Sequence, residues 1–134
     1  MRTVEELMTR KVVTVADDQS LRDAIALMQR HRVKHLPVMA GDRLAGILTD
    51  RDVKRATPSL LSGVGQVEFD SVLSETSVSH VMTRNPYSVT PSTNLKDAVK
   101  VLIDRKFSAL PVVENQKLVG ILTSTDLLRA FHEM

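Results

Sequence analysis

The chain contains no cysteine and no tryptophan, and of its 134 residues only one is tyrosine and three are phenylalanine. Without cysteine, disulfide frameworks, thiolate metal sites and thiol nucleophiles are all excluded, although the redox compartment is not readable from that absence. Aromatic residues at 3% argue against a single-stranded nucleic-acid platform, which stacks successive bases on several rings. Neither sign of charge dominates: 18 Lys and Arg stand against 16 Asp and Glu, a formal charge of +2. Despite a sequence pI near 9.2, that is a weak footprint for duplex binding, so nucleic acid is not an expected partner. No apolar run approaches the roughly 18 residues that a membrane span requires. The opening Met1-Arg2-Thr3-Val4-Glu5-Glu6-Leu7 has no apolar signal region. A cytoplasmic protein with no membrane partner is therefore expected. What is present is ordinary for a globular chain, 43% apolar and 25% charged residues. The length bounds it to one domain or two very small, interdependent units.

An internal repeat organises the chain. Residues 8–56 align without a gap onto 82–130, and roughly 18 of about 49 aligned positions are identical. The matches cluster at Met8-Thr9-Arg10 with Met82-Thr83-Arg84, at Leu21, Asp23 and Ala24 with Leu95, Asp97 and Ala98, and at Leu36-Pro37-Val38 with Leu110-Pro111-Val112. The longest sets Leu44, Gly46-Ile47-Leu48-Thr49, Asp52, Arg55 and Ala56 beside Leu118, Gly120-Ile121-Leu122-Thr123, Asp126, Arg129 and Ala130. A unit of about fifty residues is too small to bury a good core alone, so two copies related by a pseudo-twofold axis are expected. The expected organisation is 1–56 as a first repeat with an N-terminal lead-in, 57–79 as a connector and 80–134 as a second repeat.

Each repeat reads as strand, helix, strand, strand, helix, an α/β (α+β) arrangement of two β-α-β-β-α units. Val12, Val13 and Val15, matched by Tyr87 and Val89, form a short strand. Leu21, Ala24, Ile25 and Met28 share one helical face behind a Ser20 cap, and Leu95, Ala98, Val99 and Leu102 repeat it behind Asn94. Hairpins follow, turning at Ala40-Gly41-Asp42 and Glu114-Asn115-Gln116. Final helices are expected over 50–56 and from Ser124 to about Phe131. In the connector, Thr57-Pro58-Ser59 should stop the preceding helix, Gly63 and Gly65 mark an irregular stretch, and Val67 to Leu73 is expected to form a turn or two of helix.

The positions that could carry chemistry are Thr49-Asp50-Arg51-Asp52 and Thr123-Ser124-Thr125-Asp126, each between a strand and a helix. One reading is structural, with Thr as N-cap and Asp assisting the first-turn amides, a contribution of about 1 kcal/mol. The other adds that a helix start suits phosphate and that the carboxylate can accept bonds from a vicinal diol such as ribose. Gly46 and Gly120 lie inside strands, where tight packing is favoured over ligand contact. Pro37 and Pro111 belong on an edge or at a ladder end, and could present an apolar face to a planar ring. No Gly-x-Ser-x-Gly elbow and no Gly-rich phosphate loop occur. His31, His35, His80 and His132 read as surface or capping residues rather than a metal set. No catalytic residue, no metal site and no enzyme activity are expected.

The doubled pattern of Met-Thr-Arg, strand, amphipathic helix, Leu-Pro-Val and Gly-Ile-Leu-Thr-x-x-Asp resembles a tandem pair of cystathionine-β-synthase (CBS) domains, a Bateman module, over nearly the whole chain. Within that family it is most similar to the N-terminal half of AcuB-type acetoin-utilisation proteins, on Thr49-Asp50-Arg51-Asp52 with Ala56-Thr57-Pro58-Ser59 and on 116–123 with Asp126-Leu127-Leu128-Arg129. Those proteins carry a further C-terminal ACT-like domain, so a stand-alone module or a piece of a longer chain is expected. The resemblance implies regulatory binding of adenine nucleotides or adenosyl compounds (AMP, ADP or ATP, S-adenosylmethionine or an NAD-type ligand) in two clefts between the repeats. No cofactor is required, and the module would act on an unknown effector protein. By that analogy one site joins Thr49 and Asp52 to Pro86, Tyr87, Phe107 and Pro111. The other joins Thr123 and Asp126 to Val12, Val13, Val33 and Pro37. The alternative is a dimerising interaction scaffold with vestigial clefts.

Two further expectations follow. A second apolar helix edge in each repeat (Val53 and Ala56; Leu127, Leu128 and Phe131) points to a homodimer. The repeats also differ in charge, with Lys34-His35 against Ser108-Ala109 and Arg51 against Thr125. The family geometry would bring Arg51, with Lys34 or His35, to the phosphates of the Asp126 cleft. That cleft is expected to bind the more charged nucleotide more tightly.

Overall fold

Ser20 begins the first long helix as its side chain suggests: its hydroxyl accepts the Asp23 amide at 3.1 Å, and Asp23 Oδ2 accepts the Ser20 amide at 3.3 Å. Asn94 does the same for the second, its Oδ1 accepting the Lys96 amide at 2.9 Å. The computed structural model describes residues 2–58 and 63–134. Its helices are α1 (Val4–Leu7), α2 (Leu21–His31), α3 (Asp50–Ala56), α4 (Gln66–Glu75), α5 (Leu95–Arg105) and α6 (Ser124–His132). Its strands are β1 (Val15–Ala16), β2 (His35–Ala40), β3 (Arg43–Thr49), β4 (Thr83–Arg84), β5 (Ala109–Glu114) and β6 (Lys117–Thr123), with a 3-10 turn at Val78–His80. Val12 and Val13 lie outside β1, so the expected first strand is shorter than its β-branched run. The connector helix α4 is longer than expected, and Arg22 of α2 holds it through Ser74 Oγ (3.1 Å) and Asp70 (3.6 Å). Of the expected helix stop, Thr57 is the C-cap of α3, while Ser59 lies outside the described residues.

The chain divides into two compact units, Val13–Asn85 and Met1–Val12 with Pro86–Met134. These cut the chain differently from the expected 1–56, 57–79 and 80–134. The first is called here the Asp52 unit and the second the Asp126 unit. In the Asp52 unit the strands run β1-β2-β3-β4, with β1 parallel to β2 and the others antiparallel. The Asp126 unit repeats this plan with the β5-β6 hairpin, single bridges replacing the outer strands: Val89 parallel to Val112 and Thr9 antiparallel to Ile121. In that parallel pairing the Val89 amide donates to the Pro111 carbonyl at 3.0 Å and the Val113 amide to Val89 at 2.8 Å. Pro111 thus stands where the parallel ladder begins, and its missing N–H forfeits no ladder bond.

Each unit has its own core. In the Asp52 unit it contains Val15, Ala24, Met28, Leu36, Val38, Leu48, Val53, Val78 and Met82. In the Asp126 unit it contains Val4, Met8, Val89, Ala98, Leu102, Leu110, Val112 and Leu122. The first core therefore takes Val78 and Met82 from the segment leading into the second repeat, and the second takes Val4 and Met8 from the N-terminal lead-in. The backbone bonds correspond: Leu21 N–H to Thr76 (3.0 Å) and Val78 N–H to Gln19 (2.8 Å) in one unit, Leu95 N–H to Arg2 (2.9 Å) and Val4 N–H to Thr93 (2.9 Å) in the other.

The two strand glycines admit these lead-ins. A Cβ at Gly46 would stand 2.6 Å from the Thr83 carbonyl oxygen and 2.7 Å from Met82 Sδ; at Gly120 it would stand 2.7 Å from Met8 Sδ and 3.0 Å from the Thr9 carbonyl oxygen. Each glycine is there for close approach of backbone, as the packing reading expects. Gly46→Ala and Gly120→Ala should each destabilise the protein by about 1–3 kcal/mol. Gly46→Ala should cost more, because the nearest atom it meets is backbone and cannot rotate away. Urea denaturation followed by circular dichroism measures both.

Candidate functional site

β3 hands over to α3 and β6 to α6 with no intervening loop, so Thr49 and Thr123 are at once the last strand residue and the helix N-cap. Both adopt extended backbone, with φ −111° and ψ 164° at Thr49 and φ −117° and ψ 162° at Thr123. In the Asp52 unit the Thr49 hydroxyl accepts the Asp52 amide at 3.2 Å, and Asp52 Oδ2 accepts the Thr49 amide at 2.9 Å. The Asp126 unit has the same reciprocal pair at 3.2 and 2.9 Å. The structural reading of Thr-x-x-Asp is thus met in both repeats, each box satisfying two backbone donors.

The two carboxylates differ in what else they do. Asp126 is buried, at 6% exposure. Its Oδ2 also accepts the Thr123 hydroxyl at 3.0 Å, and its Oδ1 accepts the Thr9 hydroxyl at 3.0 Å and Arg129 Nη1 at 3.5 Å. Asp52 is half-buried, and among the described residues its Oδ1 has no hydrogen-bond partner. The second role open to a carboxylate at this position, accepting a ligand hydroxyl, is available at Asp52 as it stands. Thr9, in sequence only a landmark of the Met-Thr-Arg match, is a further residue at this carboxylate. Only its reach to Asp126 gives it a part in the site.

The other expected residues fall in different settings. Thr49, Asp52, Val13, Val33, Lys34, His35, Pro37 and Arg51 belong to the Asp52 unit; Thr123, Thr125, Asp126, Val12, Pro86, Tyr87, Phe107 and Pro111 belong to the Asp126 unit. Pro37 and Pro111 are fully buried, so neither offers an open face to a planar ring, a correction to that expectation. Val13 and Val33 pack against the core of their own unit. Tyr87 and Phe107 remain open, at 42% and 41% exposure, and the Arg105 guanidinium lies 5.0 Å from the centre of the Tyr87 ring. Lys34, Arg51 and Thr125 are exposed. Among the described residues neither Lys34 nor Arg51 enters an ion pair. The expected dimer edge is also corrected in part: Val53 is consumed by its own core and Leu127 packs on the other, which leaves Leu128 and Phe131 exposed.

His35 starts β2 directly across from Thr49. Burial lowers its pKa below the ordinary histidine value, an effect that nearby Asp50 opposes and Lys34 reinforces. The imidazole is therefore neutral at pH 7 and adds no positive charge there. Among the described residues no group of three or more His, Asp or Glu could hold a metal ion, and no helix is long and apolar enough to cross a membrane. Because the folded protein resists a proton that the unfolded chain accepts, His35 contributes full stability above the ordinary histidine pKa of about 6.5. That contribution is lost as pH falls through the depressed native value. His35→Gln should flatten this loss, read as the change in urea midpoint between pH 7.5 and 5.5.

The CBS domain model matches residues 4–59 and again 78–133. The chain is 34% identical over 128 residues to the CBS domain-containing protein YhcV of Bacillus subtilis, covering 95% of this chain and 84% of that one. Several longer curated relatives are matched over only 13–43% of their own length. Among solved structures, CBSX2 in complex with AMP superposes with a TM-score of 0.82 at 33% identity, covering 99% of this chain and 98% of that one. An acetoin utilization protein (AcuB) from Vibrio cholerae superposes with a TM-score of 0.81 at 30% identity, covering 99% and 92%. With two matches that together take in most of its length, the chain belongs to the CBS domain family as a tandem pair.

Proposed function

We propose that the chain is a regulatory module of the cytoplasm that binds an adenine nucleotide through its Thr-x-x-Asp motifs and passes the bound state to a partner protein. The observation that carries this reading is the Asp52 carboxylate. It is held rigidly by its capping box, yet keeps one oxygen without a protein partner among the described residues. A ribose diol supplies the donors such an oxygen accepts. Support also comes from the 33% identity to CBSX2, whose structure is a complex with AMP. Of the residues that the family resemblance implies, the exposed rings of Tyr87 and Phe107 are the ones proposed for adenine contact. The proposed role is binding, with no chemical step on the nucleotide.

A ligand at a hundred times its dissociation constant stabilises a folded protein by about 2.7 kcal/mol. For a chain of this length that should raise the melting temperature by roughly 10 °C. AMP, ADP, ATP, S-adenosylmethionine and NADH, each with its guanine counterpart where one exists, should be compared in a thermal-shift panel. The shift with an adenine ligand should vanish in the Asp52→Ala, Asp126→Ala double variant. No shift with any of them would remove the proposal.

The saturated carboxylate of Asp126 favours a second reading for that motif alone, a structural cap in a dimerising scaffold. Leu128 and Phe131, exposed by 69% and 74% on one edge of α6, support a second copy of this chain as the occupant. Light scattering at tens of micromolar should give twice the 14.9 kDa chain mass. Phe131→Glu should return the mass to that of one chain, whereas a monomeric native protein would refute the dimer.

A further inference from the structure

Thr9 and Thr83 occupy matched positions in the two repeats, as do Arg129 and Arg55, and Thr123 and Thr49. The residue types are the same, but the bonds are not. A carboxylate has about four acceptor positions. On Asp126 they are taken by the Thr123 amide, the Thr123 hydroxyl, the Thr9 hydroxyl and Arg129 Nη1. On Asp52, among the described residues, only the Thr49 amide is bonded. Thr83 is exposed, pairs with Ile47 through β4 and sends no bond to Asp52. Thr9 is held in place from both sides, its amide donating to the Ile121 carbonyl at 2.8 Å and its carbonyl accepting the Ile121 amide at 3.0 Å.

We propose that Thr9 is an affinity-determining residue that acts as a built-in competitor at Asp126. Its hydroxyl fills the acceptor position on Oδ1 that a ligand hydroxyl needs, so the Asp126 motif binds nucleotide more weakly than the Asp52 motif. By reciprocity, whatever the Thr9 bond takes from ligand affinity, the ligand takes from that bond. Nucleotide at Asp126 therefore loosens the lead-in over residues 2–12, which links ligand occupancy to the N-terminal segment. This inference rests on the proposed nucleotide binding, but it concerns only the second motif and its own competitor.

Titration calorimetry with AMP separates the two. On an Asp52→Ala background, which leaves only Asp126, adding Thr9→Val should tighten AMP about tenfold or more, the scale of one hydrogen bond to a charged group. Thr9→Ser, which keeps the hydroxyl, should leave the weak affinity unchanged. Thr83→Val on an Asp126→Ala background should leave the Asp52 affinity unchanged. Unchanged or weaker AMP binding in the folded Thr9→Val variant overturns the inference while leaving nucleotide binding at Asp52 standing. Absence of heat from the native protein and from every variant removes both. If Thr9→Val fails to fold, hydrogen exchange of the Asp52→Ala protein decides. AMP should then speed exchange at the Thr9 and Ile121 amides, and slowed or unchanged exchange overturns the inference.

Discussion

The approach of a Met-Thr backbone to a strand glycine, made once at Gly46 and once at Gly120, is the contact on which both units depend. A repeat of about fifty residues has too little apolar surface to close a core by itself. In each unit the deficit is met by a segment that carries a valine and a methionine into the core and docks its backbone on the hairpin. Val78 and Met82 do this for the Asp52 unit, Val4 and Met8 for the Asp126 unit. A Cβ at Gly46 would stand 2.6 Å from the Thr83 carbonyl oxygen, too close for that backbone to stay in place, whereas at Gly120 it would first meet the Met8 sulfur, with the Thr9 carbonyl oxygen at 3.0 Å. Each lead-in is also tied to a long helix by a backbone bond, from Leu21 to Thr76 and from Leu95 to Arg2.

That contact also sets up the candidate site. The strand that receives the lead-in is the one that runs directly into the Thr-x-x-Asp helix, so the docking of Thr9 on Ile121 places its hydroxyl within reach of Asp126. Core closure and site chemistry in the Asp126 unit are therefore one structural event. In the Asp52 unit the equivalent strand, Thr83–Arg84, docks just as firmly through two paired residues, but its threonine is turned to solvent. Duplication has preserved residue types at these positions while leaving the acceptor capacity of the two carboxylates different.

How much of this was legible in the sequence follows from the range of each interaction. The faces of α2 and α5, their Ser20 and Asn94 caps and the reciprocal boxes at Thr49 and Thr123 all depend on residues within a few positions, and all were readable. The exchange of lead-ins was not, because pairing between distant segments leaves no local period. One trace of it existed: Val4 and Val78 extend the repeat alignment upstream of Met8 and Met82, and each is fully buried in its unit. The burial of Pro37 and Pro111 was missed because a proline at the start of a parallel ladder looks the same in sequence as one on an open edge. At the site, the aspartates were legible, but the saturation of Asp126 was not. The residue responsible stands 117 positions earlier in the chain.

The charge difference between the repeats points to the opposite ranking of the two motifs from the one proposed on their hydrogen bonds. The sequence expectation gave the Asp126 cleft the advantage of Arg51 with Lys34 or His35. Burial keeps His35 neutral at pH 7, which removes one of those cations. Lys34 and Arg51 are exposed, and exposed charges contribute only about 0–1 kcal/mol, less as salt rises. A hydrogen bond to a buried carboxylate is worth about 1.5–3 kcal/mol. The Thr9 hydroxyl on Asp126 is such a bond, already made within the protein. Under the proposed binding, a ligand hydroxyl at that carboxylate would exchange one good donor for another and gain little, whereas at Asp52 it would find an acceptor with no protein competitor among the described residues. On the proposed reading, the local hydrogen-bond inventory outweighs the more visible asymmetry of surface charge.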